Sequence, residues 1–460
     1  MVVKKFGGTS VKDDIAILRV IDICKSEKLN SVVVVSAFSG VTNSLVELFE
    51  SAKANNTTRA STIIEELRSR HIMTAQKLKC SEETIELINT TLTQLHLILD
   101  ALVIIREFTQ RSNAVFLATG EILSSLIIAD AFFQSGIIAK HIDSRELIYT
   151  EEKFVDAEVD ILKTREITQK QISKAFSQSN IKICVCGGFI ASTLSGQTST
   201  LGRGGSDYTA ALIAEACKAE RLEIWTDVDG ILTSDPRKVP NTKLIKEISY
   251  DEAAELAFYG AKVLHPKTIY PAVEAEIPVF VLNSFNPKNT GTKIIPHTIW
   301  KNRIKAIAFR ENVTVINVSS SRMLGTYGFL ANVFDVFKKH QIPIDLVATS
   351  EVSISMTVDN GPLLDAAIKE LEKFSNVEIF LEKAIISAVG DGIRNESGIA
   401  ARFFGALTGI NISMISFGAS EVNLSIIVDS VDIKKAVNML HTEFFTDDID
   451  NEIFVNLGQQ

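Results

Sequence analysis

Along its first 295 residues or so the chain alternates short, continuous apolar runs with stretches whose apolar positions recur at helical spacing. Residues 2–6, 31–36, 136–142, 181–186, 223–226 and 278–282 predict strands. Continuous apolar runs suit strands covered on both faces, with the intervening helices supplying parallel crossovers. Residues 57–109 read differently, strand-poor and helical throughout. Ser81 is placed to cap the second half of this stretch, with Glu82 and Glu83 favourable in the turn that follows. The stretch predicts a helical excursion from the sheet that contributes to a lid or an interface.

Near Asn286 the pattern changes. The turn-rich "NPKNTGTKI" leads into a repeat. "GFLANVFDVFKKHQIPIDLVATSEVSISMTV" from Gly328 aligns without a gap on "GIAARFFGALTGINISMISFGASEVNLSIIV" from Gly398, an offset of 398 − 328 = 70. Ser350-Glu351-Val352 recurs as Ser420-Glu421-Val422, and the preceding strands, 314–318 and 384–388, keep the register. Each copy predicts strand, glycine loop, helix, strand, turn, strand: a duplicated α+β module. The expected organisation is an α/β domain over 1–295, then a region 296–460 with modules over about 312–382 and 383–450.

Composition narrows the class. With 460 residues, 46% hydrophobic and 22% charged, the chain has room for two or three domains and a substantial core. A net charge of −9 and a pI near 5.5 argue against nucleic acid or an anionic membrane as partner. Local basic pockets for phosphorylated small molecules stay compatible with that balance. The five cysteines (Cys24, Cys80, Cys184, Cys186 and Cys217) show no CxxC pair and no zinc spacing, so they read as small core hydrophobes. Cys184 and Cys186 are expected on one face of a buried strand. The first strand begins at once after Met1, which leaves no room for a signal peptide. No run reaches the ~18 apolar residues of a membrane span. A reducing, cytoplasmic compartment is expected.

Four stretches carry candidate chemistry. "KKFGGTS" ends a strand, and Gly7-Gly8 lets backbone N–H groups approach an anion, although an ordinary tight turn has the same pattern. Lys5 precedes the glycines, whereas a Walker loop places its lysine after them. "VVVVSAFSGVTNSL" opens a buried strand into a loop holding Ser36, Ser39, Gly40, Thr42 and Asn43. Ligands bind at such strand ends, and a plain N-capped helix is the simpler reading. In "TLGRGGSDYTAALIAEA", Gly202, Gly204 and Gly205 surround Arg203, and Ser206-Asp207 enter a helix. The guanidinium fork beside a helix N-terminus suits a carboxylate or phosphate. Asp207 by itself reads as an N-cap, but an arginine held among glycines has no structural reason. "IWTDVDGILTSDPR" and "FYGAKVLHPKT" bring Thr226-Asp227 at a strand end, the turn at Asp235-Pro236-Arg237, and Lys262. Their clustering favours a nucleotide site over isolated surface turns, and His265 before Pro266 reads as structural.

Taken together, "KFGGTSV", "VTNSL", "TGEILSS", "TLGRGGSDYTA", "IWTDVDGI", "DPR" and "GAKVLHP" stand in the order found in aspartate kinases of the amino-acid-kinase fold. The resemblance covers nearly the whole chain, since a C-terminal pair of ACT modules also belongs to that family. "TLGRGGSDYTA" beside "GAKVLHP" is its most specific part. The chain resembles the monofunctional members, without a fused homoserine dehydrogenase. The resemblance implies transfer of the γ-phosphoryl group of MgATP to the side-chain carboxylate of L-aspartate. It places Lys5 on the transferring phosphoryl group with Phe6, Gly7 and Gly8 beside the phosphates, and Asp207 as the carboxylate that orients Lys5. Arg203, with Gly204 and Gly205, resembles the clamp for the substrate α-carboxylate, and Glu121 the partner of its α-ammonium. Thr42 and Ser206 add hydrogen bonds to substrate, while Thr226, Asp227, Leu232, Arg237 and Lys262 match nucleotide-side positions. No protein metal cage is expected, because Mg²⁺ is held largely by phosphates and water. Leu232 stands where the family often carries a tyrosine near the adenine, and Phe38 replaces a smaller residue in the substrate loop.

That chemistry agrees with first principles. An aspartate carboxylate is ionised near pH 7, so no general base is needed, and the difficulty lies in bringing two anions together. Cations and positioning address it directly. "MLGTYGFLANVF" and "IDLVATSEVS" in the first module resemble lysine-inhibited members, whose effector sits between paired modules. Met323, Thr326, Phe329 and Leu330 would line one side of that pocket, and Asp345, Thr349, Ser350 and Glu351 the other. Asp345 and Glu351 suit ammonium groups, and the helix-start N–H groups suit the effector carboxylate. The second copy has Ile415 where the first has Asp345, so it is expected to serve pairing. Gly325 and Tyr327 depart from the lysine pattern and keep threonine or another amino acid open as effector. Edge-to-edge pairing of ACT modules makes a homodimer or larger homo-oligomer the expectation. Two alternatives stand beside this reading: another amino-acid-kinase-fold enzyme, or a catalytically silent ACT sensor. Glu121 with Arg203 favours a free amino acid as substrate, and Lys5, Arg203 and Asp207 together favour catalysis.

Overall fold

Each of the six strands predicted in the first 295 residues is present in the computed structural model, which describes residues 1–178, 180–260, 265–298, 303–320, 323, 327–446 and 452–456. The chain forms two compact units, one from 1–231 with 263–296, the other from 232–262 with 297–460. The segment 232–262, which the sequence pattern groups with the first domain, belongs by its contacts to the second unit.

In the first unit Val2–Phe6 pairs in parallel with Ser31–Val35 on one side and Arg221–Thr226 on the other. Val279–Asn283 continues the parallel set beyond Arg221–Thr226, and Thr292–Ile295 follows antiparallel. On the far side come Ile183–Gly187 and then Ala139–His141, both parallel. Val2, Val3, Phe6 and Val32 to Val35 are fully buried, as strands covered on both faces must be. The predicted strand at 136–142 shrinks to Ala139–His141 because Gly136, at φ +81°, takes the turn that ends the preceding helix. Asn283, Thr226, Phe6, Val35 and Gly187 end five neighbouring parallel strands, so the loops after them share one edge of the sheet.

The helical excursion is Thr57–Lys77 and Glu82–Ile105, followed by Gln110–Gln134. Ser81 caps as expected: its Oγ accepts from the Thr84 N–H at 3.3 Å, and its own N–H and O–H donate to Asp130 at 2.6 and 2.8 Å. Ser81→Ala should therefore lower stability by about 1–2 kcal/mol in urea unfolding. Among the described residues, Glu82–Ile105 and Gln110–Gln134 are long and apolar enough to cross a membrane. Neither is an uninterrupted apolar run, because scattered polar residues break each one. Gln110–Gln134 is the central core helix, burying Phe116, Leu123, Ile127, Ile128 and Phe132. Glu82–Ile105 buries the stripe Ile88, Leu92, Leu95 and Leu99 and leaves Leu97, Ile104 and Ile105 exposed. Cys184 and Cys186 are both buried on Ile183–Gly187, and burial pushes each thiol up to about 12, the signature of an inert cysteine.

The second unit carries the repeat. The pairs Ala306–Ser319 and Asn376–Val389, Phe329–Lys339 and Ile399–Ala406, Ile344–Thr349 and Met414–Phe417, and Ser353–Asp359 and Asn423–Asp429 all begin 70 residues apart (376 − 306, 399 − 329, 414 − 344, 423 − 353). Gly328 and Gly398 cap the two helices at φ +84° and +87°. The six strands form one sheet in the order 344–349, 353–359, 306–319, 376–389, 423–429, 414–417. The modules are interleaved. Residues 313–319 pair with Ser353–Asp359 inside the first module, whereas 306–310 lie beside 385–389 of the second. Phe454–Asn456, after the last helix, pairs with Lys243–Ile245 instead. A fully buried ion pair, Lys305 Nζ to Glu252 Oε2 at 2.9 Å, fixes the helix Tyr250–Phe258 in this unit. Glu252 also accepts from the N–H groups of Ser249 and Asp391 at 2.8 and 2.6 Å, so its charge is fully compensated.

Candidate active site

Adjacent lysines on Val2–Phe6 point to opposite faces of the sheet, as strand alternation requires. Lys4 is buried between Glu223 at 2.5 Å and Glu27 at 3.4 Å, a structural cation. Lys5 reaches the other face, where its Nζ lies 2.7 Å from Asp207 Oδ1. These two side chains keep 13% and 14% exposure, open enough to meet a ligand. Asp207 sits in the first turn of the helix Gly205–Ala216, and the N-cap position belongs to Gly204. Its carboxylate is thus not spent on capping.

The loops after the first two strands touch. A Cβ on Gly8 would stand 2.9 Å from the Ala37 carbonyl oxygen, so only glycine allows the approach, and the Ser39 N–H donates to the Gly8 carbonyl at 3.1 Å. The 36–40 loop is held from the core helix: Glu121 Oε1 accepts from the Ala37 N–H at 3.1 Å, and Ser124 Oγ donates to the Ser36 carbonyl at 2.9 Å. Glu121 is 4% exposed, and its other oxygen has no hydrogen-bond partner among the described residues. Burial pushes its carboxyl up to about 8, against the pull of the Ala37 N–H and Lys5. A buried carboxyl with one free oxygen is a receptor for an ammonium group. Thr42 is the second residue of the helix Val41–Lys53 and half-buried. Phe38 turns inward, 1% exposed, and stacks on His71 at 4.9 Å, so this departure from the family pattern is a core residue.

Arg203 is exposed and makes no ion pair among the described residues, leaving its fork free. Ser206 Oγ accepts from Ser36 Oγ at 3.1 Å, joining the arginine loop to the 36–40 loop. The backbone of Gly188 passes so close that a Cβ there would meet Ser206 Cα at 2.6 Å. Sequence reasoning missed this glycine, although a Gly-Gly pair directly after a predicted strand was the available signal. On the other side of Lys5, Thr226 ends its strand half-buried and its Oγ1 donates to Asp227 Oδ1 at 3.2 Å. The Thr226 carbonyl accepts from Ser284 Oγ at 3.0 Å, which is 2.7 Å from Ser10 Oγ, and Asn283 Nδ2 donates to Asp229 at 2.9 Å. Ser10 closes the "KKFGGTS" stretch, whereas Asn283 and Ser284 had no sequence signal beyond their place at a strand end. Phe6 is a core side chain stacked on Trp225, and the Gly7 N–H donates to the Trp225 carbonyl at 3.2 Å, leaving Gly8 to present its backbone N–H.

Leu232 and Arg237 lie in the second unit. Leu232 bridges to Leu244, and the Arg237 guanidinium is engaged by Asp235, Nε to Oδ1 at 3.0 Å and Nη2 to Oδ2 at 2.6 Å. That pairing holds the Asp235 carboxyl below its usual range. Lys262 and Thr326 lie outside the described residues. His265 is exposed, and its carbonyl accepts from Thr268 Oγ1 at 2.6 Å. Among the described residues no cluster of three or more His, Cys, Asp or Glu side chains could hold a metal ion.

Of the expected effector residues, Met323 and Phe329 pack against the core of the first module, and Leu330 is exposed at the helix start. Thr349, Ser350 and Glu351 are exposed at the strand end, where Ser350 Oγ meets Ser353 Oγ at 2.7 Å to close the turn. Asp345 is nearly covered, and Arg310 Nη1 lies 3.0 Å from its Oδ2. Burial pushes the Asp345 carboxyl up while Arg310 pulls it down. Arg310 also engages Asp359. Sequence reasoning treated Asp345 as a free carboxylate and missed this arginine.

A lysine steadied by a carboxylate, backbone N–H groups from two glycine loops, a free guanidinium and a buried carboxyl can together receive a polyphosphate and an amino acid. Comparison with known proteins agrees. The profile of the amino acid kinase family matches residues 1–283, and that of the ACT domain matches 316–373 and 386–444. Lysine-sensitive aspartokinase 3 of Escherichia coli is 36% identical over 97% of this chain and 99% of its own length. Chloroplastic aspartokinase 1 of Arabidopsis thaliana is 38% identical over 96% of this chain and 80% of its own. Crystal structures of the E. coli aspartokinase III with aspartate and ADP, and with lysine and aspartate, superpose with TM-scores of 0.81 and 0.83. Each covers 97% of this chain, at 36% and 37% identity and with 100% and 99% of its own length matched. The chain belongs to the amino acid kinase family and, within it, to the aspartokinases.

Proposed function

We propose that the protein transfers the γ-phosphoryl group of MgATP to the side-chain carboxylate of L-aspartate and is inhibited by L-lysine bound at its first ACT module. The observation that carries the catalytic reading is the Lys5–Asp207 pair, 2.7 Å apart at the shared edge of five parallel strands. The acceptor carboxylate needs no base, so the residues bind, orient and neutralise. Lys5 offsets charge on the transferring phosphoryl group, and Asp207 keeps the Lys5 ammonium aimed there. The Gly8 N–H gives a backbone donor that needs no reorganisation during the reaction, while the Gly7 N–H is held by the Trp225 carbonyl at 3.2 Å and fixes the turn. Mg²⁺ enters as part of the nucleotide substrate, held largely by phosphates and water.

The α-groups of aspartate are matched by opposite charges. The buried Glu121 carboxyl becomes the counter-ion of the α-ammonium, whose arrival favours its ionised form. Arg203 takes the α-carboxylate. Arg203→Ala should raise the aspartate KM roughly ten- to hundredfold and leave the ATP KM within about twofold, as expected for a lost charge-assisted pair. Equal weakening of both substrates would move Arg203 to the nucleotide side. The reading is tested by ADP release with aspartate, glutamate, N-acetylglutamate and no acceptor; turnover is expected with aspartate alone. The five unpaired cysteines suit a reducing, cytoplasmic compartment, and the end strands Ile344–Thr349 and Met414–Phe417 suit assembly into a homodimer or larger homo-oligomer.

A further inference from the structure

Arg70 projects from the helix Thr57–Lys77 onto two carbonyl groups that are far apart in sequence. Its Nη1 donates to the Ser39 carbonyl at 2.9 Å and its Nη2 to the Lys12 carbonyl at 3.0 Å. The first carbonyl belongs to the 36–40 loop, whose inner side is held by Glu121 and Ser206; the second ends the turn Gly8–Val11 that follows Lys5. The same guanidinium lies 5.8 Å from the Phe38 ring, which is stacked on the neighbouring His71 at an interplanar angle of 9°. Burial lowers His71 to about 4, so this stack stays neutral at working pH. One residue pair of the helical excursion thus grips the outer side of both site loops, by hydrogen bonds at Arg70 and by stacking at His71.

A guanidinium alone has the planar fork for this contact. One nitrogen serves each carbonyl and the two are held at a fixed spacing, whereas an ammonium is a single point with no such constraint. The spacing matters because the loops carry opposite halves of the reaction. The Gly7-Gly8 loop faces the phosphates, and the 36–40 loop, with Thr42 and Glu121 behind it, faces the amino acid. Gly8 and Ala37 already meet at van der Waals limits, so a shift of either loop alters the approach of the acceptor carboxylate to the phosphoryl group. Misplacement by about 1 Å costs on the order of 10²-fold in rate.

We infer that Arg70 is a positioning residue for phosphoryl transfer, tying the phosphate loop to the amino-acid loop without touching either substrate. This rests on the proposed aspartate kinase activity. The test compares full-length wild type, Arg70→Ala, Arg70→Lys and the control Lys77→Ala, which removes a cation from the same helix, paired to Asp14 at 3.0 Å. Steady-state kinetics with aspartate and MgATP are read beside thermal melting, with and without millimolar methylguanidine. The expected result is a kcat lowered about tenfold or more in Arg70→Ala, with a raised aspartate KM, an ATP KM within about twofold and an unshifted melting temperature. Methylguanidine should restore several-fold of the lost rate in Arg70→Ala and do nothing to wild type, Arg70→Lys should recover little, and Lys77→Ala should behave as wild type. Unaltered kinetics in Arg70→Ala overturn the inference, as does a rate loss that follows a lowered melting temperature and is not rescued. A wild type that releases no ADP with aspartate would overturn the functional reading, and this inference with it; an active wild type beside an unaltered Arg70→Ala overturns this inference alone.

Discussion

Lys5→Ala and Asp207→Ala should each lower kcat by on the order of 10²-fold or more while the protein stays folded. The two side chains meet at 2.7 Å and remain partly exposed, so removing one leaves the other charge within reach of water. That separates them from Lys4, whose buried contacts with Glu223 and Glu27 make it a stability residue. Without Lys5 the phosphoryl group loses its protein cation at the moment negative charge is redistributed. Without Asp207 the ammonium is present but no longer aimed. Because the pair acts as one unit, the double variant should be scarcely slower than the slower single variant. Steady-state kinetics, with circular dichroism and melting curves to establish folding, decide the matter. Near-normal turnover in either single variant removes that residue from the catalytic set.

What the sequence made legible follows from how each feature is encoded. The buried parallel strands were readable because continuous apolar runs such as residues 31–35 have few other uses. Lys5, the glycine pair and Arg203 were readable because each is an unusual residue in a tight local context. The repeat revealed both modules, and it hid their interleaving, because an alignment shows only what both copies contain. Residues 306–310 lie in front of the aligned part, and their pairing with 385–389 is a tertiary choice. Arg70, Ser284 and Arg310 were invisible for a related reason. Each matters through contacts made across dozens of positions, and nothing local distinguishes Arg70 from Arg68 on the same helix. The free oxygen of Glu121 is likewise a product of burial, which periodicity suggests and geometry alone establishes.

Wild-type enzyme should be inhibited by millimolar L-lysine, and Asp345→Ala should keep its activity while losing most of that inhibition. Asp345 is nearly covered, with Arg310 Nη1 3.0 Å from its Oδ2. An arriving ammonium therefore competes with a cation already in place. Arg310 has a second carboxylate in Asp359, so it can remain paired when Asp345 turns to the effector. The exchange swaps one ion pair for another in a partly desolvated setting. Its net free energy is small enough for a modest preference between conformational states to decide occupancy. Coupling of typically ~1–3 kcal/mol would shift the inhibitory concentration about 5- to 150-fold once Asp345 is gone. The second module supplies an internal control, since Ile415, 70 positions on, is half-exposed and offers no charge. The effect of Asp345→Ala should thus not be compensated there. Inhibition curves at fixed aspartate and MgATP separate the two parts of the claim: a wild type indifferent to millimolar lysine rules out the effector, whereas an Asp345→Ala variant still fully inhibited rules out only the residue.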